Sequence, residues 1–145
     1  MFVCRLKNCI QTVFALFVSL AVLFTARAVH ASRFSELDGR RSFYLNSLSS
    51  QAVIKEELTV AELFRIKGES IVFACENREE TLTKLVALYG AEVLFTEEAG
   101  GTVSYYCVTP KWTDGVVIEG VFINLHIAFD GAFCAVGAPL IFGGF

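Results

Sequence analysis

The feature that most constrains this chain is an uncharged, apolar segment near its N-terminus. Two basic residues precede a run without charge from Asn8 to Ala26, and small residues at a cleavage-like spacing end at Ala31, just before Ser32. A short basic region, an apolar core and small residues make up a secretory signal peptide. The run is also close to the ~20 residues that a membrane-spanning helix needs. Residues 1–31 are therefore predicted to be a cleaved signal peptide or an uncleaved signal anchor (a transmembrane helix).

Both interpretations orient the chain in the same way. Positive residues before a first apolar segment stay in the cytoplasm, and Arg5 and Lys7 occupy that position. The rest of the chain is predicted to be secreted or to lie on the outer face of the cytoplasmic membrane, as part of the cell envelope. It is long enough for one domain with one core, which we divide into a tether at 32–41 and a single domain at 42–145.

The part after the leader is strongly acidic. All 15 Asp and Glu residues of the chain lie in it, against nine Lys and Arg. A protein that binds the phosphate backbone of a nucleic acid presents a basic surface instead. The charge therefore disfavours nucleic acid as a partner and limits membrane contact to an uncleaved N-terminal segment. The expected partner is an unknown protein or a second copy of the chain.

The hydrophobic periodicity of the domain predicts one main helix and an antiparallel sheet. The helix is expected to begin at the capping residue Asn77 and to end at Gly90. Alternating apolar residues predict one strand before it, two strands joined around Gly100–Gly101, and two more joined at Asp130–Gly131. This order, strand–helix–strand–strand–strand–strand, is an α+β fold with the helix on one face of a curved sheet. A short strand and helix module at 42–68 precedes it.

The last hairpin suggests a candidate interaction face. A two-residue turn at Asp130–Gly131 would pair Phe129 with Ala132 and His126 with Ala135. On one continuous strand, alternate residues share a face that is too apolar for solvent, so the 42–68 module, a second copy or a partner must cover it. The candidate interaction face comprises Phe122, Asn124, His126, Phe133 and Tyr106.

Cysteine and histidine do not form a predicted catalytic or metal site. Cys75, Cys107 and Cys134 follow the leader at spacings that match no zinc pattern. Each is expected to be a small buried residue in an apolar strand, and the alternative is one disulfide bond with one thiol left over. A thiol nucleophile needs a base within hydrogen-bond reach, and nothing in the sequence brings Cys107 near His126. We therefore predict no catalytic residue, no metal and no cofactor.

Three short segments carry a resemblance to a known family. They are Ile71–Cys75, Ile123–Ala128 and Val136–Ile141. Over about residues 67–142 the chain resembles the YwmB-like family of exported Gram-positive proteins, although it has a much shorter region before that part. The resemblance implies a fold like one half of the TATA-box-binding protein (TBP-like), with no established activity or substrate.

Three functions are compatible with these features. The leading hypothesis is an uncharacterised extracytoplasmic binding or assembly module that acts through a sheet face and does not catalyse a reaction. One alternative is a small cell-envelope hydrolase with a site near the 109–115 loop, and another is a structural envelope protein that self-associates. A hydrolase needs a concave site with convergent polar groups, whereas a binding module can present an apolar patch.

Overall fold

The computed structural model describes residues 2–30, 33–49, 51–59 and 61–143. The chain separates into two units, with the boundary between Arg33 and Phe34. The N-terminal unit is helix α1, Phe2–His30. Within α1 the side chains of residues 10–26 are described, and most of them are exposed. No helix among the described residues combines the length and the apolar character that crossing a membrane requires. The predicted cleavage position at Ala31 and Ser32 lies outside the described residues.

The second unit is an α+β domain built on a large antiparallel sheet, as predicted. In chain order its strands and helix are β1 (Arg40–Leu45), β2 (Val53–Lys55), β3 (Ile66–Ala74), α2 (Arg78–Tyr89), β4 (Glu92–Ala99), β5 (Thr102–Val108), β6 (Val116–Ile118), β7 (Val121–Ile123), β8 (Leu125–Asp130) and β9 (Phe133–Ala138). A short 3-10 helix, Glu62–Arg65, precedes β3. Seven strands form the main sheet in the order β2-β1-β3-β9-β8-β5-β4, and β6 pairs with β7 separately.

The predicted ends of the main helix are confirmed. The side chain of Asn77 accepts a hydrogen bond of 3.1 Å from the backbone N–H of Glu80, which satisfies one of the free amides of the first turn. Gly90 ends the helix in the left-handed conformation, with φ 58°. A side chain at this position would be strained, which is why glycine is the usual residue there.

One face of the main sheet carries the hydrophobic core. Helix α2 contributes Leu85 and Tyr89, and the central strands contribute apolar residues that include Ile71, Ile127 and Val136. These positions alternate along each strand because successive side chains point to opposite faces. The core therefore lies between α2 and the sheet, which leaves the second face for other contacts.

The predicted tether at 32–41 is wrong for its described residues. Phe34 is only 2% exposed and belongs to the core. The guanidinium of Arg41 donates hydrogen bonds of 3.1 and 3.3 Å to the carbonyls of Phe34 and Leu37. The segment therefore packs as part of the domain, because it supplies an aromatic ring that the core buries.

The predicted register of the last hairpin is also wrong, by two residues. Phe129 pairs with Cys134, and His126 pairs with Gly137. The loop is Gly131–Ala132, because Asp130 is still paired with Phe133; Gly131 has φ 55° at the first loop position, where type II′ turns place glycine. A shift of two residues keeps every side chain on its predicted face, so the error changes neighbours but not sides.

The strands of the 42–68 module do not cover the second face of the sheet. Its strands β1 and β2 extend the sheet sideways beyond β3. That face is instead crossed by residues 139–142, which we call the C-terminal strap. A Cβ atom added to Gly137 would lie 2.5 Å from the carbonyl oxygen of Leu140. The C-terminal strap therefore covers part of this face. It can approach β9 so closely because Gly137 has no side chain.

Candidate functional site

The five residues of the candidate interaction face do not form one exposed surface. Asn124 and His126 are buried, whereas Phe122 and Phe133 are exposed, and Tyr106 is half-buried. The strand expected to run from Val121 to Phe129 is interrupted at Asn124. Its two parts pair with different strands, so the alternation that grouped these residues does not continue through the interruption.

His126 is held beneath the C-terminal strap. It is 8% exposed, and its Nδ1 accepts a hydrogen bond of 3.3 Å from the backbone N–H of Ile141. Burial lowers the pKa of the imidazole to about 4, so the ring is neutral near pH 7. Its Nε2 is buried and has no hydrogen-bond partner among the described residues. His126 therefore packs beneath the strap and is not part of an exposed surface.

Tyr106 lies in the middle of a stack of three rings on the second face. Its ring centroid is 4.5 Å from that of His126 and 4.5 Å from that of Phe95. Its hydroxyl donates a hydrogen bond of 3.1 Å to a carboxylate oxygen of Glu97. Burial and this carboxylate raise the pKa of the phenol. The stack links β4, β5 and β8 on the side away from α2, and offset ring pairs of this kind add to area burial.

Asn124 has a structural role that its position in the strand pattern concealed. Its carboxamide bonds the backbone N–H and the carbonyl of Thr109 and the carbonyl of Trp112, at 2.7, 2.8 and 2.7 Å. A buried polar side chain has to find such partners. Asn124 therefore holds the 109–115 loop and is not available to a ligand.

Phe122 belongs to a small two-stranded hairpin that is separate from the main sheet. In this hairpin Val117 pairs with Phe122, so the two side chains share one face, and they are 67% and 42% exposed. The opposite face carries Ile123, which is fully buried. We call Val117 and Phe122 the hairpin patch. It is a pair of exposed apolar side chains on a hairpin whose other side is fixed in the domain.

The signal for this hairpin was present in the sequence. Glu119–Gly120 separates two apolar triplets rich in β-branched residues and forms the loop, with φ values of 51° and 82°. Two positive φ values are the property of a type I′ turn. Gly115 leaves room for the ring of Phe122, because a Cβ atom at position 115 would lie 2.5 Å from that ring. The alternation of residues from Val121 to Phe129 equally fits one longer strand, so the pattern alone does not separate this hairpin from β8.

Phe133 provides a second exposed aromatic side chain, at 52%. It opens β9 and pairs with Ala74 and Asp130, on the second face of the sheet. In the predicted face it accompanied Phe122, but Phe122 lies in the separate two-stranded sheet. The exposed part of the candidate set is therefore divided between two elements.

The thiols and His126 do not form a nucleophile–base pair. Cys107 pairs with Leu125 and its neighbour Tyr106 pairs with His126, so Cys107 and His126 point to opposite faces. Burial raises the pKa of both Cys107 and Cys134 to about 12, which keeps these thiols protonated. All three cysteines after the leader are free thiols. The prediction of burial is confirmed for two of them, while Cys75 lies just beyond β3 and is partly exposed.

The loop proposed for a hydrolase site is built into the core. Thr109 is buried, and its hydroxyl donates a hydrogen bond of 2.5 Å to the carbonyl of Tyr89. The ring of Trp112 packs against those of Phe34 and Tyr89, with centroids 5.8 and 5.4 Å away. Within the described residues, no three His, Cys, Asp or Glu side chains are grouped to hold a metal ion.

Comparisons with known proteins do not add a family to this geometry. The chain matches no protein-family model, no curated protein and no solved structure. The site is therefore interpreted from its own residues. The hairpin patch contains Val117, which at 67% is the most exposed large apolar side chain outside helix α1 among the described residues.

Proposed function

We propose that this chain is an exported binding or assembly module that acts by contact, without catalysis, and that the hairpin patch is its contact surface. The observation that carries the proposal is the pairing of Val117 with Phe122 on the exposed side of the β6–β7 hairpin. When a partner covers two apolar side chains that are held side by side in water, the free energy of the system falls. Phenylalanine is also enriched among residues that form protein interfaces.

The β6–β7 hairpin is anchored to the rest of the domain, which favours a specific binding contact. Ile123 is fully buried beneath the patch, and the amide of Asn124 donates a 3.2 Å hydrogen bond to the carbonyl of Cys107. The patch therefore has little conformational freedom to lose when it binds, which reduces the cost of association. This preorganisation supports a binding role for the hairpin.

The charge of the domain favours a protein as the partner. The part after the leader has 15 acidic residues against nine basic ones, which opposes contact with a phosphate backbone. An apolar patch on an acidic domain suits a protein surface that is apolar at its centre and basic at its rim. A second copy of the chain would bring the same negative charge, so we propose a different protein.

The proposals on export and on family rest on other parts of the chain. Export is supported by the order of basic, apolar and small residues up to Ala31. A relation to the YwmB-like family, with its TBP-like fold, is supported by the succession β3, α2, β4, β5, β8 and β9 along the chain. In this proposal the β6–β7 hairpin is an insertion into that succession, and it carries the contact.

Site-specific photo-crosslinking in intact cells tests the proposed function. A benzophenone side chain is placed at Val117, and in a matched control chain at Lys84, an exposed residue of α2 whose side chain is 73% accessible. We expect a discrete adduct of one mass from position 117 and none of that mass from position 84. Equal, diffuse labelling from both positions would contradict the proposal. An adduct of twice the chain mass would replace the different protein with a second copy.

A further inference from the structure

The C-terminal strap covers one row of residues that runs across the second face of the sheet. Register places Ser70, Gly137, His126 and Tyr106 side by side on β3, β9, β8 and β5. The strap lies over the middle of this row, since the Cβ position of Gly137 is 2.5 Å from the carbonyl oxygen of Leu140. It thus conceals the buried histidine that the sequence placed on an interaction face.

Two side chains of the sheet hold the strap by its backbone amides. Nδ1 of His126 accepts from the N–H of Ile141 at 3.3 Å. The hydroxyl of Tyr44 accepts from the N–H of Phe142 at 3.0 Å, and the rings of Tyr44 and Phe142 meet edge to face with centroids 5.1 Å apart. The strap therefore depends on one acceptor that can gain a proton as the pH falls and on one that cannot.

The surroundings of His126 contain few groups that could stabilise a positive charge. β9 presents Gly137, which has no side chain, and the described strap residues are Pro139, Leu140, Ile141 and Phe142. β5 presents the ring of Tyr106, whose hydroxyl is bonded to Glu97 of β4. On β8 itself, Asp130 lies four residues away at the exposed end of the strand. A protonated imidazole would thus be buried next to an amide hydrogen that points at it.

We infer that the strap is a pH-sensitive cover, which protonation of His126 at Nδ1 releases from the sheet. An Nδ1 that carries a proton is a donor and can no longer accept from Ile141. The bond is then replaced by two opposed N–H groups in a buried site, and release of the strap returns the ring to water. The Tyr44 hydroxyl does not gain or lose a proton as the pH falls from neutral. Its hydrogen bond to the strap therefore favours closure again when His126 loses its proton.

The expected pH range follows from linkage. In the closed state, burial lowers the pKa of His126 to about 4, whereas a ring exposed by an open strap has the ordinary value of about 6.5. The open state therefore binds the proton first as the pH falls below 6.5. The ratio of open to closed strap rises about tenfold for each pH unit down to about 4, some 300-fold in all. Above pH 6.5 neither state is protonated and the ratio is constant.

Hydrogen exchange of single amides, measured by NMR on the full chain from pH 7.5 to 4, tests the inference. The protection factor of the Ile141 amide, corrected for the intrinsic pH dependence of exchange, should fall about tenfold per unit below pH 6.5. It should also stay below that of the Val136 amide in β9 at every pH. Equal protection of Ile141 and Val136 throughout would mean that the strap opens only with the whole domain, which overturns the inference.

Two variants make the test specific. His126→Asn retains an acceptor, Oδ1, close to the position of Nδ1 but does not titrate, so Ile141 protection should become independent of pH. Gly137→Ala adds a Cβ where the carbonyl of Leu140 lies, so the strap should stay displaced and the His126 ring should titrate near pH 6.5 instead of about 4. Unchanged pH dependence in His126→Asn, or an unchanged titration in Gly137→Ala, would each overturn the inference.

Discussion

Asn124 holds Thr109 by both ends of its carboxamide. Its Oδ1 accepts the N–H of Thr109 at 2.7 Å and its Nδ2 donates to the carbonyl of the same residue at 2.8 Å. The Nδ2 also reaches the carbonyl of Trp112 at 2.7 Å. One side chain thus satisfies three backbone groups of the 109–115 loop, at the residue where β7 ends and β8 has not yet begun.

Removing this side chain should be costly. Asn124→Ala leaves buried backbone groups of Thr109 and Trp112 without partners, and each such group costs about 1–3 kcal/mol. We expect the free energy of unfolding to fall by about 3 kcal/mol, measured by urea titration with an unchanged m-value. Thr96→Ala, an exposed change on β4, is the matched control and should stay within about 0.5 kcal/mol. Similar midpoints for the two variants would contradict the role of Asn124.

Local patterns predicted much of the domain because their causes are local. The cap at Asn77, the left-handed Gly90 and the Gly100–Gly101 hairpin depend on side chains and backbone angles within a few residues. The pairing of Ala99 with Thr102 confirms that hairpin. Even the misplaced turn at Gly131 kept the faces of the strands, since the period of a strand is two.

The errors concern contacts between residues far apart in the chain. Phe34 was assigned to a tether because its neighbours are polar, yet its ring meets Tyr89 and Trp112. His126 was placed on a face that needed a cover, but the alternation of residues does not specify which segment supplies it. The strap lies about fifteen residues later, and its position over Gly137 depends on the whole sheet. Of the five residues of the candidate face, Phe122 and Phe133 are exposed, Asn124 and His126 are buried, and Tyr106 is half-buried.

The helix cap offers a second test of the fold. Asn77→Ala removes the acceptor for the Glu80 amide, so the domain should lose about 1 kcal/mol of stability. Glu98→Ala, an exposed change on β4, should lose less than about 0.5 kcal/mol. Denaturant titrations of both variants measure the difference. Equal losses would place the start of the helix elsewhere.

The three thiols of the domain should react in a fixed order. Burial raises the pKa of Cys107 and of Cys134 to about 12, and the thiolate is the reactive form. In a chain with Ser at positions 4 and 9, a disulfide reagent at pH 8 should modify Cys75 first, and the other two only after denaturant is added. Cys75→Ser should abolish the early reaction. Any rapid reaction in the native state of that variant would contradict the burial of Cys107 and Cys134.

The contribution of the strap to folding can be measured by truncation. A chain that stops after Ala138 loses the residues that cover Gly137 and His126, whereas a control chain that stops after Phe142 keeps them. The shorter chain should dimerise or aggregate and should bind a hydrophobic dye strongly, because apolar surface of the sheet is uncovered. Light scattering and dye fluorescence decide this. A monomeric short chain with the dye signal of the control would show that the strap covers nothing essential.

The most direct test of the contact surface is whether a crosslinked adduct depends on the patch itself. With the benzophenone at Val117, the adduct formed in intact cells is compared between the parent chain, Phe122→Ser and Phe64→Ser, after equal melting temperatures are verified. Phe64 is 63% exposed in the 3-10 helix and Phe122 is 42% exposed, so the control removes a still more exposed ring from another element. We predict that Phe122→Ser reduces the adduct at least tenfold, equivalent to about 1.4 kcal/mol, while Phe64→Ser leaves it unchanged. An adduct that persists in Phe122→Ser, or that is lost equally in both variants, would contradict the proposed contact.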